Sequence, residues 1–173
     1  MEPRIDPLKN ILLDADVIIH FIKAGKLGTL PSIFPNKLYL LDIVFEEVFR
    51  RRDFRTEIEN RLKFHFFHEI SLPNDPDVLN EYARLSKDFG RGESACMAYC
   101  KFNHDILASS NLKDIKRYCV ENGKQYLTTM DFLCEALKMD IMDNYECNRF
   151  IYKVNYSGSK LPCNSIEDYL KNR

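Results

Sequence analysis

Tryptophan is absent, and a chain of 173 residues holds only 6 glycines and 7 prolines. That scarcity excludes collagen-like and low-complexity segments. No sign of charge dominates: 25 Lys and Arg stand against 26 Asp and Glu, a net of -1. A generally basic coat for nucleic acid is excluded, and a local basic patch is not. No apolar run approaches the roughly 18–20 residues that span a bilayer. The opening stretch MEPRIDPLKN is charged and carries two prolines, and Asp14 and Asp16 interrupt the apolar residues behind it. It does not read as a signal peptide. The six cysteines (Cys96, Cys100, Cys119, Cys134, Cys147, Cys163) form no CxxC pair. Free thiols in a reducing cytoplasm are the expectation. Cys96 and Cys100 have the spacing of a zinc half-site, but no second Cys or His pair stands at ligand spacing. Ser-His-Asp spacing, a nucleophile elbow and a GxxxxGK[ST] phosphate loop are missing too.

What is present suits one globular core: 45% hydrophobic and 29% charged residues. Strand and helix patterns alternate from the start. Ile11 to Leu13 reads as a doubly buried strand, and VIIHFIKAG as a helix closed by Gly25. Leu38 to Leu41 is a second strand, with Asp42 as cap for the helix IVFEEVFRR. RTEIENRLKF keeps helical spacing, and HFFHEISL fits either a strand or a helix end. Pro76 opens a helix to about Lys87. GRG at 90–92 breaks the chain before the helix ESACMAYCKF. Asp105 to Ser109 is a strand, LKDIKRYCVENG a helix ended by Gly123, QYLTT a strand and MDFLCEALKM a helix. This repetition predicts an α/β fold, a three-layer α/β/α sandwich around a mostly parallel sheet. Residues 1–139 form that domain. Residues 140–173, with their aromatics and a Ser-Gly-Ser turn, form an extension that packs on the domain or on a partner.

In open parallel sheets, ligands bind beyond the carboxyl ends of the strands. Asp14 ends the first strand there. Ser110 and Asn111 follow the DILAS strand, and Asp131 follows QYLTT. Glu93 opens a helix behind the glycine turn, and Glu47 sits in the helix after the second strand. Such oxygen-rich ends suit Mg²⁺ or Mn²⁺, hard cations that prefer carboxylate and water to Cys or His. Phosphodiester cleavage needs metal to polarise the phosphate and acidify an attacking water. Each acid has a plainer role as a helix cap or first-turn acid. Asp16 in particular either caps its helix or touches the cleft. Joint placement at several strand ends favours a site.

The runs ILLDADVII, DIVFEEV, GRGESAC, DILASSNLKDIKRYC and YLTTMDFLCEAL, over residues 10 to 138, resemble a PIN domain. Asp14-Ala15-Asp16 fits the family's first motif. Glu47 before Val48 fits its second acid better than Glu46, and Gly90, Gly92 and Glu93 fit its Gly-x-Gly-Glu. The resemblance implies a Mg²⁺- or Mn²⁺-dependent endoribonuclease. Many bacterial members are VapC-like toxins that form homodimers and are silenced by an antitoxin. It makes Asp14 the central metal ligand, with Glu93 and Asp131 as further ligands and Glu47 orienting the water. One departure stands out: Ala108, Ser109, Ser110 and Asn111 occupy the place of a usual Ala-Thr-Asp-Asp. Ser110 or Asn111 then fills that ligand position, or Asp114 one helical turn on replaces the lost acid. A catalytically degenerate module that binds RNA or protein is the alternative, and a DNA-directed nuclease a third reading.

Arg50, Arg51, Arg52 and Arg55 form the densest basic cluster, suited to RNA phosphates or simply to a solvated helix end. Lys113, Lys116 and Arg117 form a second group beside the fourth strand. His65 and His68 flank phenylalanines and read as structural. Phe64, Phe66 and Phe67 read as core or dimer contacts. Phe150, Tyr152 and Tyr156 suggest a covered groove where an antitoxin docks.

Overall fold

The computed structural model describes residues 5–63 and 66–172. Strand β1 (Ile11–Leu13) is buried along its length. Helix α1 (Ala15–Ala24) follows at once and ends at Gly25, whose φ of +70° is the left-handed turn that glycine adopts without strain. A 3₁₀ turn (Leu27–Thr29) and the short α2 (Leu30–Ile33) lead to β2 (Leu38–Leu41). Helices α3 (Asp42–Phe49) and α4 (Arg52–Lys63) come next, then β3 (His68–Ile70). After α5 (Pro76–Leu85) and α6 (Arg91–Asn103) come β4 (Ile106–Ala108) and α7 (Leu112–Glu121). The chain closes with β5 (Tyr126–Leu127), α8 (Thr129–Lys138), α9 (Asn144–Tyr156) and α10 (Ile166–Lys171).

The five strands pair in the order β3-β2-β1-β4-β5, all parallel. Helices cover both faces, so the fold is an α/β sandwich of three layers. The chain builds β1, β2 and β3 outward in one direction, then crosses back to lay β4 on the other side of β1. That reversal opens a crevice between the carboxyl ends of β1 and β4. The Asp14 N–H donates to Ala108 O at 2.8 Å, tying the two strand ends together.

Several local details differ from the sequence reading. Helix α3 begins at Asp42 itself, with Leu41 in the cap position. The Asp42 carboxylate accepts the Ile43 N–H at 2.7 Å. Gly92 lies inside α6, and the break falls at Gly90. Asp105 stays outside β4, and its carboxylate instead accepts the Asn10 N–H at 3.1 Å. Residues 144–156 form a full helix, capped by a reciprocal pair between Asp143 and Glu146. Its Cys147, Phe150, Ile151 and Val154 are buried. Phe150 meets Phe21 of α1 edge-on at 4.8 Å between ring centres, and Phe21 meets Phe132 of α8 at 6.0 Å. Lys26 reaches Glu146 at 2.6 Å. The segment after residue 140 is therefore part of the same core.

Phe67 is buried, and His68 lies exposed, edge-on to Tyr39. Phe64 and His65 lie outside the described residues. All six cysteines are free thiols. Among the described residues, no helix is long and apolar enough to cross a membrane.

Candidate functional site

Asp14 leaves β1 as the N-cap of α1, its Oδ1 accepting the Ala15 N–H at 2.7 Å. Its carboxylate is buried, and that burial, reinforced by the charge of Asp16, raises its pKa well above the ordinary value. Asp16 sits in the first turn of α1. Its Oδ2 accepts the Ser110 N–H at 2.8 Å and the Ser109 hydroxyl at 3.4 Å. Its Oδ1 is buried and accepts no hydrogen bond among the described residues. Burial raises Asp16 to about 6 despite those donors. Glu93, in the first turn of α6, rises to about 7, first through burial and then through Asp114, Asp16 and Glu47. Asp114 opens α7 on the far side of the crevice. The Asn111 amide bridges the two helices, donating to Glu93 Oε1 at 3.1 Å and to Asp114 Oδ2 at 2.7 Å.

Glu47 reaches this group from α3. A Cβ on Gly92 would lie 2.5 Å from Glu47 Oε2 and 3.4 Å from a Val44 methyl. The glycine thus lets α3 and its carboxylate come close to the start of α6. Glu46 is exposed beside it. Arg50 and Arg91 line a small hollow of about 220 Å³ with Glu46 and Glu47, so one member of the basic cluster borders the acids. The others lie further along: Arg51 stacks on Phe54, and Arg55 covers Phe49 and pairs with Glu59 at 3.5 Å. Arg52, exposed, opens α4. Arg117 of the second basic group pairs with Glu121 on its own helix.

Two expected members sit differently. Asp131 turns back onto its own helix start, where its Oδ2 accepts the Thr128 N–H at 2.8 Å and hydroxyl at 2.7 Å. This capping box directs the carboxylate to the N-terminus of α8. It places Asp131 in the wall of a separate groove, which Glu93 and Asp16 do not line. The Ser110 hydroxyl is bonded to Thr129, with its Oγ 2.7 Å from Thr129 Oγ1 and accepting the Thr129 N–H at 2.9 Å. His20 Nδ1 joins the same chain at 2.9 Å from Thr129 Oγ1. Buried His20 has its pKa pushed down to about 4, so it is a neutral member of the network at pH 7.

The structure decides what the sequence left open for Asp16: of the two roles, helix cap or cleft residue, its carboxylate takes the cleft, bonded to the loop after β4. Cys96 forms the floor, its thiol directed at Leu13 O from 4.0 Å and raised well above its usual pKa by burial and then by Asp14. Cys96 and Cys100 are both buried and offer no zinc half-site to solvent. Among the described residues, no three His, Cys, Asp or Glu side chains close around one point as a formed metal site.

The arrangement gathers acids with no neutralising partner. Among the described residues, no Lys or Arg forms an ion pair with Asp14, Asp16, Glu93 or Asp114. Among the described residues the donors to these carboxylates are neutral: Ala15, Ser109, Ser110 and Asn111. Comparison with models of known protein families finds no match. Comparison with curated proteins finds none either.

Proposed function

We infer that the chain is a divalent-metal-dependent endoribonuclease of the PIN type. The observation that carries this reading is that Asp14, Asp16, Glu93 and Asp114 lie along one crevice at the switch point, with no cationic partner among the described residues, although no three of them close around one point without an ion. Clustered, desolvated carboxylates cost stability unless something positive joins them. The donor set is all oxygen, which suits Mg²⁺ or Mn²⁺. The buried, unpartnered Asp16 Oδ1 is a ready ligand atom. Asp14, Asp16 and Glu93 would hold the ion, with Asp114 standing in for the acid absent at Ser110. A bound ion of this kind supplies positive charge at the phosphate and a more acidic water.

The protein's own groups account for the rest. Glu47, exposed at the rim, orients the attacking water and takes its proton. Arg50 and Arg91 hold the flanking phosphate, as backbone contacts that position without reading sequence. The Asn111 amide marks where positive charge is wanted between Glu93 and Asp114. Asp131 acts by fixing the start of α8. A homodimer and an antitoxin partner follow from the PIN resemblance.

A module that binds RNA or protein without cutting is the second reading. It is favoured by the commitment of the Ser110 hydroxyl to Thr129 and by the amide lodged between two acids. Calorimetric titration of Mn²⁺ and Mg²⁺ into wild type and Asp14→Asn separates the two. Saturable binding lost in the variant, with metal-dependent cutting of RNA by wild type, supports the nuclease. Absence of both at millimolar metal supports the binding module. Matched RNA and DNA oligonucleotides in the cleavage assay decide between ribonuclease and deoxyribonuclease.

A further inference from the structure

Three strands lie side by side in one half of the sheet, β1, β4 and β5, and the chain leaving each carries one part of a common polar network. Asp16 follows β1 in the first turn of α1, Ser110 follows β4, and Thr129 follows β5 as the first residue of α8. The Ser110 N–H donates to Asp16 Oδ2 at 2.8 Å. The Ser110 hydroxyl oxygen accepts the Thr129 N–H at 2.9 Å and lies 2.7 Å from Thr129 Oγ1. Thr129 Oγ1 in turn lies 2.9 Å from His20 Nδ1. His20 stands four places after Asp16 on α1, so the two side chains share a face of that helix. The four residues close a ring, completed through one turn of α1.

This ring is built inside the fold. Thr129 has no exposed surface, and His20 is 6% exposed. Desolvating a hydroxyl and an imidazole costs stability that hydrogen bonds merely offset, and apolar side chains would fill the same space at less cost. What a satisfied buried network adds is a fixed orientation. Thr129 has a single hydroxyl hydrogen. The chain runs either from Ser110 through Thr129 to an accepting Nδ1, or from a donating Nδ1 through Thr129 to Ser110. In both orders the Ser110 oxygen is held on Thr129 while its backbone N–H meets Asp16. The strand ladder does not reach this far: β4 stops at Ala108, and β5 is two residues long.

We propose that His20 and Thr129 are positioning residues of the crevice. Through Ser110 they hold a backbone N–H on Asp16 Oδ2 and so fix how that carboxylate is presented. Ser110 is then a clamp on Asp16, its hydroxyl committed to Thr129, and not a ligand in the place of an acid. That Asp16 goes on to hold a divalent ion rests on the nuclease reading, whereas the clamp does not.

NMR on the metal-free full chain tests the clamp directly. At pH 8, above the value of about 6 for Asp16, its carboxylate is ionised. The readout is a scalar coupling across the hydrogen bond, from the Ser110 amide nitrogen to the Asp16 carboxylate carbon, with the melting temperature recorded beside it. Wild type should show the coupling. Thr129→Val and His20→Leu should lose it. Thr129→Ser keeps the hydroxyl, and His20→Asn keeps a polar group at the Nδ1 position, so both should retain it. His20→Gln, whose amide matches Nε2 and not Nδ1, should lose the coupling too, and it decides the matter where an apolar variant fails to fold. Calorimetric Mn²⁺ titration is the second readout: affinity should fall about tenfold in Thr129→Val and His20→Leu and stay within about threefold of wild type in Thr129→Ser and His20→Asn. Absence of the coupling in wild type overturns the proposal without any variant. A coupling that survives in Thr129→Val and His20→Leu while the melting temperature falls also overturns it, because the network then supports the fold and positions nothing. Wild-type Mn²⁺ affinity in those two variants does the same. If wild type takes up no Mn²⁺, the nuclease reading fails and the coupling alone decides the clamp. If wild type takes up Mn²⁺ and shows no coupling, the clamp fails and the nuclease reading stands.

Discussion

Asp14, Asp16 and Glu93 are held in a protonation balance that the solution pH should expose. Their folded-state pKa values lie above the unfolded ones: Asp16 at about 6 against 3.8, Glu93 at about 7 against 4.5, and Asp14 well above 3.8. Protonation therefore favours the folded state, and the stability it brings is lost as pH rises through these folded values. His20 works in the opposite direction. Its pKa falls from 6.5 to about 4, so acid below pH 6.5 costs stability by forcing a charge on it. Between pH 8 and 6.5 His20 stays neutral in the folded state and becomes at most half charged in the unfolded one, a cost of only about 0.4 kcal/mol, so the carboxylates dominate. Lowering the pH across that window should stabilise the metal-free protein by on the order of 1–3 kcal/mol, read by urea denaturation. Saturating Mn²⁺ should flatten the slope, because an ion replaces the protons. Asp16→Asn should stabilise the metal-free protein at pH 8 and abolish metal binding. A variant that loses stability there would mean the carboxylate is held by its donors more firmly than burial opposes it.

At the scale of elements, the approach of α3 to α6 depends on one missing side chain. Gly92→Ala places a methyl group against the flexible end of Glu47 and close to Val44. The carboxylate can swing aside, and alanine is the better helix former by about 1 kcal/mol. The variant should match or slightly exceed wild type in melting temperature while losing as much RNA cleavage as Glu47→Gln. Full cleavage by Gly92→Ala would remove Glu47 from the reaction. The opposite end of α6 is held by Glu81 of α5. Its carboxylate accepts from Arg84 at 2.8 Å, Lys101 at 3.1 Å and the Tyr118 hydroxyl at 2.8 Å. These donors, Arg84 first, hold Glu81 down to about 2. Glu81→Ala breaks the joint among α5, α6 and α7 and leaves the Tyr118 hydroxyl without its acceptor. It should cost about 2–3 kcal/mol by chemical denaturation, with metal affinity unchanged.

For the molecule as a whole, the sequence divides at residue 139 by composition, and the core does not. Helix α9 buries Phe150 against Phe21, and Lys153 donates to Ala24 O at 3.3 Å. A chain ending at residue 139 should expose the buried face of α1 and fail to give a cooperative thermal transition. Phe150→Ala in the full chain should cost about 3–5 kcal/mol. A truncated chain that melts cooperatively near the wild-type temperature would make the extension a separable unit.

The α/β class, four of the five strands and most of the helices between them were legible in local patterns, whereas the segment holding β3 fitted a strand or a helix end equally and the short turn and helix over Leu27–Thr29 and Leu30–Ile33 were not read. Buried parallel strands such as Ile11–Leu13 read as continuous apolar runs, and helices such as α7 carry a clear apolar stripe. Helix α9 was not read as a helix although Cys147, Phe150, Ile151 and Val154 stand at i, i+3, i+4 and i+7, the spacing of one buried helical face; Tyr145, Tyr152 and Tyr156 lie outside that stripe and are exposed. Asp14 and Glu93 could be placed from the sequence because strand ends and glycine turns announce themselves along the chain. Whether a carboxylate points into the crevice is another matter. Asp131 sits at a strand end like the others, yet Thr128 captures it locally, and for Asp16 the sequence left cap and cleft equally open until Ser110, following β4, binds its carboxylate. Sequence alone determines which residues end strands, because that depends on neighbours a few places away. Tertiary structure alone decides which acids meet, because Asp16 and Ser110 are brought together across more than ninety residues by the reversal of strand order between β1 and β4.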